Sequence, residues 1–423
     1  MIHRIDRGRL VRALLVLALP LAAACKDDAL MPPTAADPIF DRYVSMGNSL
    51  TAGFQSGGIN DSTQREAYPV LLAQAMGTEF TVPFLASPGC PAPYVNIFEQ
   101  TRVGGAAAPP CALRSAPTPV RINQLAIPGA PVVEMFDYLT PGRIPSAYDP
   151  LKTLLLGGLT PLDWARKVEP TFVSIAIGSN DLLGAGLDPS NPGNPALVTP
   201  VAQYTAELND LLDSLEAIGT IQGGVLIGVQ PILFQSGVAS VPYFSPGAAW
   251  LQFEPVFDAM TAPLNALDVS AACATAYVPF TVGGGALALA QARVDSVLGG
   301  LLPPQNLVTV NITCADDQAI TAVEMQNLLA TAAAYNAAMQ QAATTRGWAY
   351  FDPAPVFAQM EGTAGAFRPF PAFLPTDPQH EAQPFGFAVS RDGLHWNALM
   401  HDAIAAALIA AINAEYGTSL DAP

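Results

Sequence analysis

Beyond the first two dozen residues the chain has three histidines, His380, His395 and His401. Two of them follow an aspartate by three residues, as Asp377-Pro-Gln-His380 and Asp392-Gly-Leu-His395. A carboxylate in the same turn can fix the imidazole tautomer and favour its protonated form, as a general base serving a nucleophile requires. Spacing does not choose between the pairs. Context favours Asp392 and His395, which stand directly before the last helical pattern, whereas the other pair sits in a Pro-rich loop. His401 falls inside that helix, where a satisfied or exposed histidine is expected. The candidate nucleophile is Ser49, in Gly47-Asn48-Ser49-Leu50-Thr51 at the end of a short apolar run. A serine on a strand-to-helix turn is exposed at the sheet edge, with the following amides ready to hold an anion. Gly-Asn-Ser is also an ordinary turn. Asn180, in Gly178-Ser179-Asn180-Asp181, either supports its own backbone or donates to a developing oxyanion. Gly129, in Asn123-Gln-Leu-Ala-Ile-Pro-Gly129-Ala130, is either a turn glycine or an unobstructed amide donor.

Elements that would position these residues follow from hydrophobic periodicity. Tyr43 to Met46 reads as a buried strand, Pro69 to Met76 as a helix stopped by Gly77, and Thr171 to Ile177 as a second strand. Residues 201–218 carry Val201, Tyr204, Leu208, Leu211, Leu212, Leu215 and Ile218 at helical spacing. A strand at Val225 to Val229 follows, then a helix over 317–346, a strand at Trp348 to Phe351 and a last helix from Asn397 to Tyr416. Apolar strands alternating with amphipathic helices predict an α/β fold, a parallel sheet covered on both faces. Two stretches, near 83–131 and 235–310, are rich in Pro, Gly and Ala and read as insertions into one domain spanning 39–416, with 417–423 as a tail. Insertions at the carboxyl ends of strands would shape a substrate pocket.

Composition narrows the class. With 51% hydrophobic and 13% charged residues, the 423-residue chain is too apolar for disorder. Its 34 Gly and 40 Pro predict long, loop-rich connections. A formal charge of −17 without a basic run excludes nucleic acid as a partner. Residues 1–24 combine Arg4, Arg7, Arg9 and Arg12 with a short apolar run, the pattern of an export signal. Ala22-Ala23-Ala24 before Cys25 resembles a bacterial lipobox, which implies cleavage there, acylation of Cys25 and attachment to a membrane, the outer membrane by resemblance to other lipoproteins. Residues 25–38 then form a tether. Four further cysteines, Cys90, Cys111, Cys273 and Cys314, are candidates for disulfides in an exported chain. Proximity favours Cys90–Cys111 and Cys273–Cys314, although three pairings exist. No two cysteines have the spacing of a zinc site.

Taken together, YVSMGNSLTAG around Ser49, the Gly129 block, Gly178-Ser179-Asn180-Asp181 and Asp392-Gly-Leu-His395 resemble the SGNH hydrolases, the GDSL esterase/lipase family, in content and order. The resemblance implies a flavodoxin-like three-layer α/β/α sandwich. It implies Ser49 as nucleophile, Asp392 and His395 as acid and base, and the Ser49 amide, Gly129 amide and Asn180 side chain as an oxyanion hole. It requires no metal or cofactor, and it implies a monomer acting on an ester, either a lipid or an acylated glycan. The family usually has aspartate where this chain has Asn48, for which a changed local field is expected and not a loss of chemistry. Two other readings keep the scaffold: a glycan- or lipid-binding lipoprotein without turnover, and an O-acyltransferase.

Overall fold

The structure, a computed structural model, describes residues 35–105, 120–138, 149–230, 243–368 and 382–422. The leader, Cys25, most of the tether, Cys111 and the Asp377–His380 pair lie outside the described residues.

Four parallel strands form the central sheet in spatial order β1-β2-β3-β4: β1 (Tyr43–Gly47), β2 (Phe172–Ala176), β3 (Gly223–Ile227) and β4 (Ala349–Phe351). Tyr43 pairs with Phe172, and Phe172 in turn with Gly223, so the first three strands end level. Every residue of those three strands is buried, as a parallel sheet covered on both faces demands. Beyond β1 the backbone of 123–127 runs parallel to it. Ser45 N–H donates to Asn123 O (3.0 Å), Leu125 N–H to Ser45 O (2.8 Å) and Ile127 N–H to Gly47 O (2.9 Å). Counting this edge segment, the order becomes 2-1-3-4-5 in chain order, the flavodoxin-like arrangement.

Helices fill the other two layers. In chain order they include α1 (Ser49–Ala52), α2 (Tyr68–Met76), α3 (Pro161–Val168), α4 (Asn180–Gly186), α5 (Val201–Glu216), α6 (Gly247–Thr261), α7 (Phe280–Leu298), α8 (Ala322–Arg346) and α9 (Ala398–Tyr416), with further short helices at Asp61–Arg65, Asp149–Leu156 and Ala354–Glu361. On one face α2 packs on α9, and on the other α5 lies between α3 and α8. Sequence caps set the boundaries: Thr321 and Glu324 form a reciprocal capping box at the start of α8, and Asn397 caps α9. Although α9 is apolar enough to cross a membrane by length and composition, its Met400, Ile404, Leu408 and Ile412 are buried in the core. Tyr204, Leu208, Leu211, Leu212 and Leu215 of α5 are buried, whereas Val201, expected inward, is exposed in the first turn. Leu420 in the expected tail is also buried, its N–H held by Asn413.

Three expectations shift. The helix expected over 317–346 starts at Ala322, behind the Thr321 cap. The third strand starts at Gly223 and not at Val225, because aromatic rings cover its two glycines. A Cβ at Gly223 would meet the Tyr416 ring at 2.7 Å, and one at Gly224 the Trp348 ring at 2.7 Å. Within the second insertion, the Pro/Gly-rich composition conceals two long helices, α6 and α7, the first with Pro255 in its interior. With short strands at Leu267–Val269 and Val310–Ile312 they enclose a second hydrophobic cluster around Trp250, Phe253, Phe257 and Val278. The Cys273–Cys314 disulfide (S–S 2.00 Å) ties this unit together across 41 residues. Cys90 is also disulfide-bonded.

Candidate active site

Strand β1 delivers Ser49. Gly47 ends it at φ +156°, and a Cβ there would come within 2.3 Å of Thr51 Oγ1 and 2.5 Å of Ala176 O, so the turn tolerates only glycine. Asn48 then caps α1, its Oδ1 accepting from Leu50 N–H (3.1 Å). This role needs only an acceptor oxygen, which amide and carboxylate both supply. It leaves Ser49 as the first helical residue, with an N–H that has no acceptor among the described residues.

The histidine arrives from the far end of the chain. His395 Nε2 lies 2.9 Å from Ser49 Oγ, and His395 Nδ1 lies 2.8 Å from Asp392 Oδ2. Both Asp392 and His395 are buried, at 8% and 9% exposure. Asp392 Oδ1 accepts from the N–H groups of Leu394 and His395 (2.9 Å each) and from the Ser390 hydroxyl (3.0 Å). Asp392 Oδ2 also accepts from Gly57 N–H at 2.6 Å. Burial pushes this carboxyl up, but the charge of His395 and the converging donors outweigh it, and the group is held well below the usual carboxylate range. The imidazole of His395 packs on Phe54, ring centroids 4.9 Å apart.

Sequence reasoning missed the cradle around Asp392. Gln55 and Gly58 exchange backbone hydrogen bonds, closing a tight turn that holds Ser56 at φ +53°. From this turn Gly57 N–H reaches the carboxylate and Ser56 N–H reaches Ser390 Oγ (2.8 Å), while Ser56 Oγ accepts from Arg391 N–H (3.2 Å). No spacing joins positions 334 residues apart; the only local signal is the Gly57-Gly58 doublet of a turn.

Asn180 opens α4 directly after β2. One hydrogen of its Nδ2 goes to Ala130 O (3.0 Å), which leaves the other to donate elsewhere. Neighbouring Asp181 fixes the same loop, accepting from Val132 N–H (2.9 Å) and from the Thr199 hydroxyl (2.9 Å). Gly129, at φ +83°, stands between Ile127, bonded to Gly47, and Ala130, bonded to Asn180. Its N–H has no acceptor among the described residues. Ser49, Asn180 and His395 share a cleft of about 10 Å³ with Asn48, Ser179 and Gln230, room for one water-sized group.

His401 sits beneath the site and has no exposure. Its Nδ1 accepts from Tyr68 N–H (3.3 Å), and burial, with the charge of His395, pushes its pKa down to about 3. Among the described residues, no three His, Cys, Asp or Glu side chains cluster as a metal site requires.

No family model and no curated protein matches the chain. Solved structures resemble it distantly. An extracellular lipase from Streptomyces rimosus has 15% identity over 87% of this chain and 98% of its own, at a TM-score of 0.36. Phospholipase A1 from Streptomyces albidoflavus has 12% identity over 89% and 99%, at 0.37. A catalytic mutant of an acetylxylan esterase from Geobacillus stearothermophilus has 13% identity over 90% and 95%, at 0.34. Likenesses this remote decide nothing about chemistry, which rests on the geometry of Ser49, His395 and Asp392.

Proposed function

We propose that the chain is a serine esterase of the SGNH hydrolase type, cleaving carboxylic esters through an acyl-enzyme on Ser49. The observation that supports this most is the continuous hydrogen-bonded line from Ser49 Oγ through both nitrogens of His395 to Asp392. In this reading His395 Nε2 takes the Ser49 proton as Oγ bonds to the ester carbonyl carbon. The oxyanion accepts hydrogen bonds from the amides of Ser49 and Gly129 and from the second N–H of Asn180 Nδ2. Collapse breaks the bond to the alcohol oxygen, which receives the proton from His395. Water then gives its proton to His395 and attacks the acyl carbon, releasing the acid and restoring Ser49. Asp392 keeps its negative charge throughout, holding the Nδ1 proton and stabilising the imidazolium.

The Arg-rich leader and the Ala-Ala-Ala-Cys25 junction support export and membrane anchoring through an acylated Cys25 as part of the same proposal. Hydrolysis of p-nitrophenyl butyrate by the full chain in detergent tests the chemistry. Wild type turns over, and Ser49→Ala falls by more than about 10³-fold. Activity that survives the substitution, or a folded wild type inert toward every ester, removes the proposal.

A further inference from the structure

Three neighbouring strands each lead to a polar side chain in the catalytic cleft. Strand β1 leads to Ser49, β2 to Asn180 and β3, through Gly228 and Val229, to Gln230. Adjacent strands lie about 5 Å apart, so three consecutive strand ends gather these groups at one edge of the sheet. The first two have their parts in the reaction above; Gln230 has none.

Gln230 is held in place from several sides. Just before it, Gly228 N–H donates to Phe351 O (2.9 Å). Asn336 of α8 then clamps the next residue, its Oδ1 accepting from Val229 N–H (2.6 Å) and its Nδ2 donating to Val229 O (3.1 Å). Gln230 itself is 2% exposed, and its Oε1 accepts from Trp396 Nε1–H (2.5 Å). An indole nitrogen only donates, so this bond fixes which end of the amide is oxygen. Nε2 is left with two hydrogens and no acceptor among the described residues. Packing alone does not account for a buried amide with an idle donor, since an unpaired polar group opposes folding.

The cleft it lines beside Ser49, Asn180 and His395 measures about 10 Å³, one water-sized group. Gly129 stands on the other side of Ser49, after the edge segment that pairs with β1, so Gly129 and Gln230 flank Ser49 and Asn180. An oxyanion bonded to the Gly129 and Ser49 amides therefore turns away from Gln230. The oxygen left to the Gln230 side is the one that exchanges a proton with His395 Nε2.

We infer that Gln230 Nε2 holds the water that hydrolyses the acyl-enzyme, an inference that rests on the esterase reading of Ser49. The water accepts from Nε2–H with one lone pair and donates a hydrogen to His395 Nε2. Its other lone pair forms the bond to the acyl carbon while that hydrogen passes to His395 and the carbonyl electrons move to the oxyanion. The intermediate then breaks its bond to Ser49 Oγ, which takes the proton back from His395. Gln230 neither gains nor loses a proton.

Gln230→Met keeps much of the side-chain volume and removes the donor. With p-nitrophenyl butyrate the leaving phenolate needs no proton and acylation involves no water, so only the second step calls on Gln230. Rapid-quench mass spectrometry of the full chain in detergent reads the two steps separately, as Ser49 gains and then loses the butyryl group. The expected result is a gain within twofold of wild type and a loss slowed about tenfold, the worth of one hydrogen bond. The fraction of chains acylated counts the folded sites, so a variant that folds poorly still yields both rate constants. Equal slowing of both steps makes Gln230 a purely structural residue and overturns the inference, as does a decay indifferent to the substitution; the reading of Ser49 survives either result. A wild type that never acquires the butyryl group removes that reading, and the inference with it.

Discussion

Replacing Asp392 by asparagine removes a charge while keeping nearly the same shape, and the donors around it allow the outcome to be worked out. All five groups bonded to the carboxylate donate: Leu394 N–H, His395 N–H and the Ser390 hydroxyl to Oδ1, and Gly57 N–H and His395 Nδ1 to Oδ2. An amide has one acceptor oxygen, and its NH2 must face donors on whichever side it lands. In the Oδ1 place it opposes two backbone N–H groups. In the Oδ2 place it opposes Gly57 N–H and forces His395 to present the Nδ1 lone pair, which moves the ring proton to Nε2. That nitrogen then points a hydrogen at Ser49 Oγ and has no lone pair to take the serine proton. The expected consequence for Asp392→Asn is a fall in kcat on the order of 10⁴-fold, about 5.5 kcal/mol of barrier, with KM little changed. At least one buried donor loses its acceptor as well, so stability drops by about 1–3 kcal/mol. Steady-state hydrolysis of p-nitrophenyl butyrate and urea unfolding of the same preparation read both quantities. A variant that keeps kcat within tenfold of wild type refutes the argument, since the imidazole would then need no fixed tautomer.

Asn180→Ala should lower kcat by about 10²–10³-fold, roughly 3 kcal/mol, while thermal unfolding stays near wild type, because among the described residues the side chain supports the fold only through its bond to Ala130; near-full turnover would exclude the amide as an oxyanion donor. His401 gives a pH signature. With its pKa pushed down to about 3 in the folded chain, it binds a proton in the unfolded state first, so stability falls as pH drops from about 6.5 toward 3, by up to about 1.4 kcal/mol per pH unit. The Asp392 contribution is present above the unfolded carboxylate pKa, near 4, and is lost only below it, so it is constant from pH 4.5 to 6; Glu66, Glu254 and Asp258, whose carboxyls burial pushes up, add a slope of opposite sign, and the difference between wild type and a His401 variant reads the histidine. His401→Asn, which keeps an acceptor for Tyr68 N–H, should remove the histidine's share of the slope, and an unchanged slope would show that another group carries it.

The sequence makes local features readable and long-range ones obscure. Gly47-Asn48-Ser49 is legible as a strand turning into a helix because a glycine, a capping side chain and a helix start fall on consecutive residues. Asp392 and His395 are legible because a single turn joins them, and α5 and α9 because their apolar stripes repeat within each helix. Gly223 and Gly224 mislead because the rings that turn them into strand residues belong to Tyr416 and Trp348, far along the chain. The helix α7 is hidden for a related reason: its glycines signal a break until Trp250 is placed against Gly283. The Ser56–Gly57 turn bonded to Ser390 and Asp392 is invisible in principle, since backbone donors carry no residue signature.

That stitch between the two ends of the chain also sets a timetable. Ser49 and His395 stand 346 positions apart, and closing a flexible loop of that length costs on the order of 5 kcal/mol in chain entropy beyond a constant. Neither the three hydrogen bonds of the turn nor the one at the catalytic serine can meet that cost, so the contact forms only after the sheet and its helices have shortened the loop. Reactivity is thus among the last properties the folding chain acquires. During synthesis the serine exists long before its base, and a stalled or truncated chain carries a nucleophile that nothing has yet deprotonated.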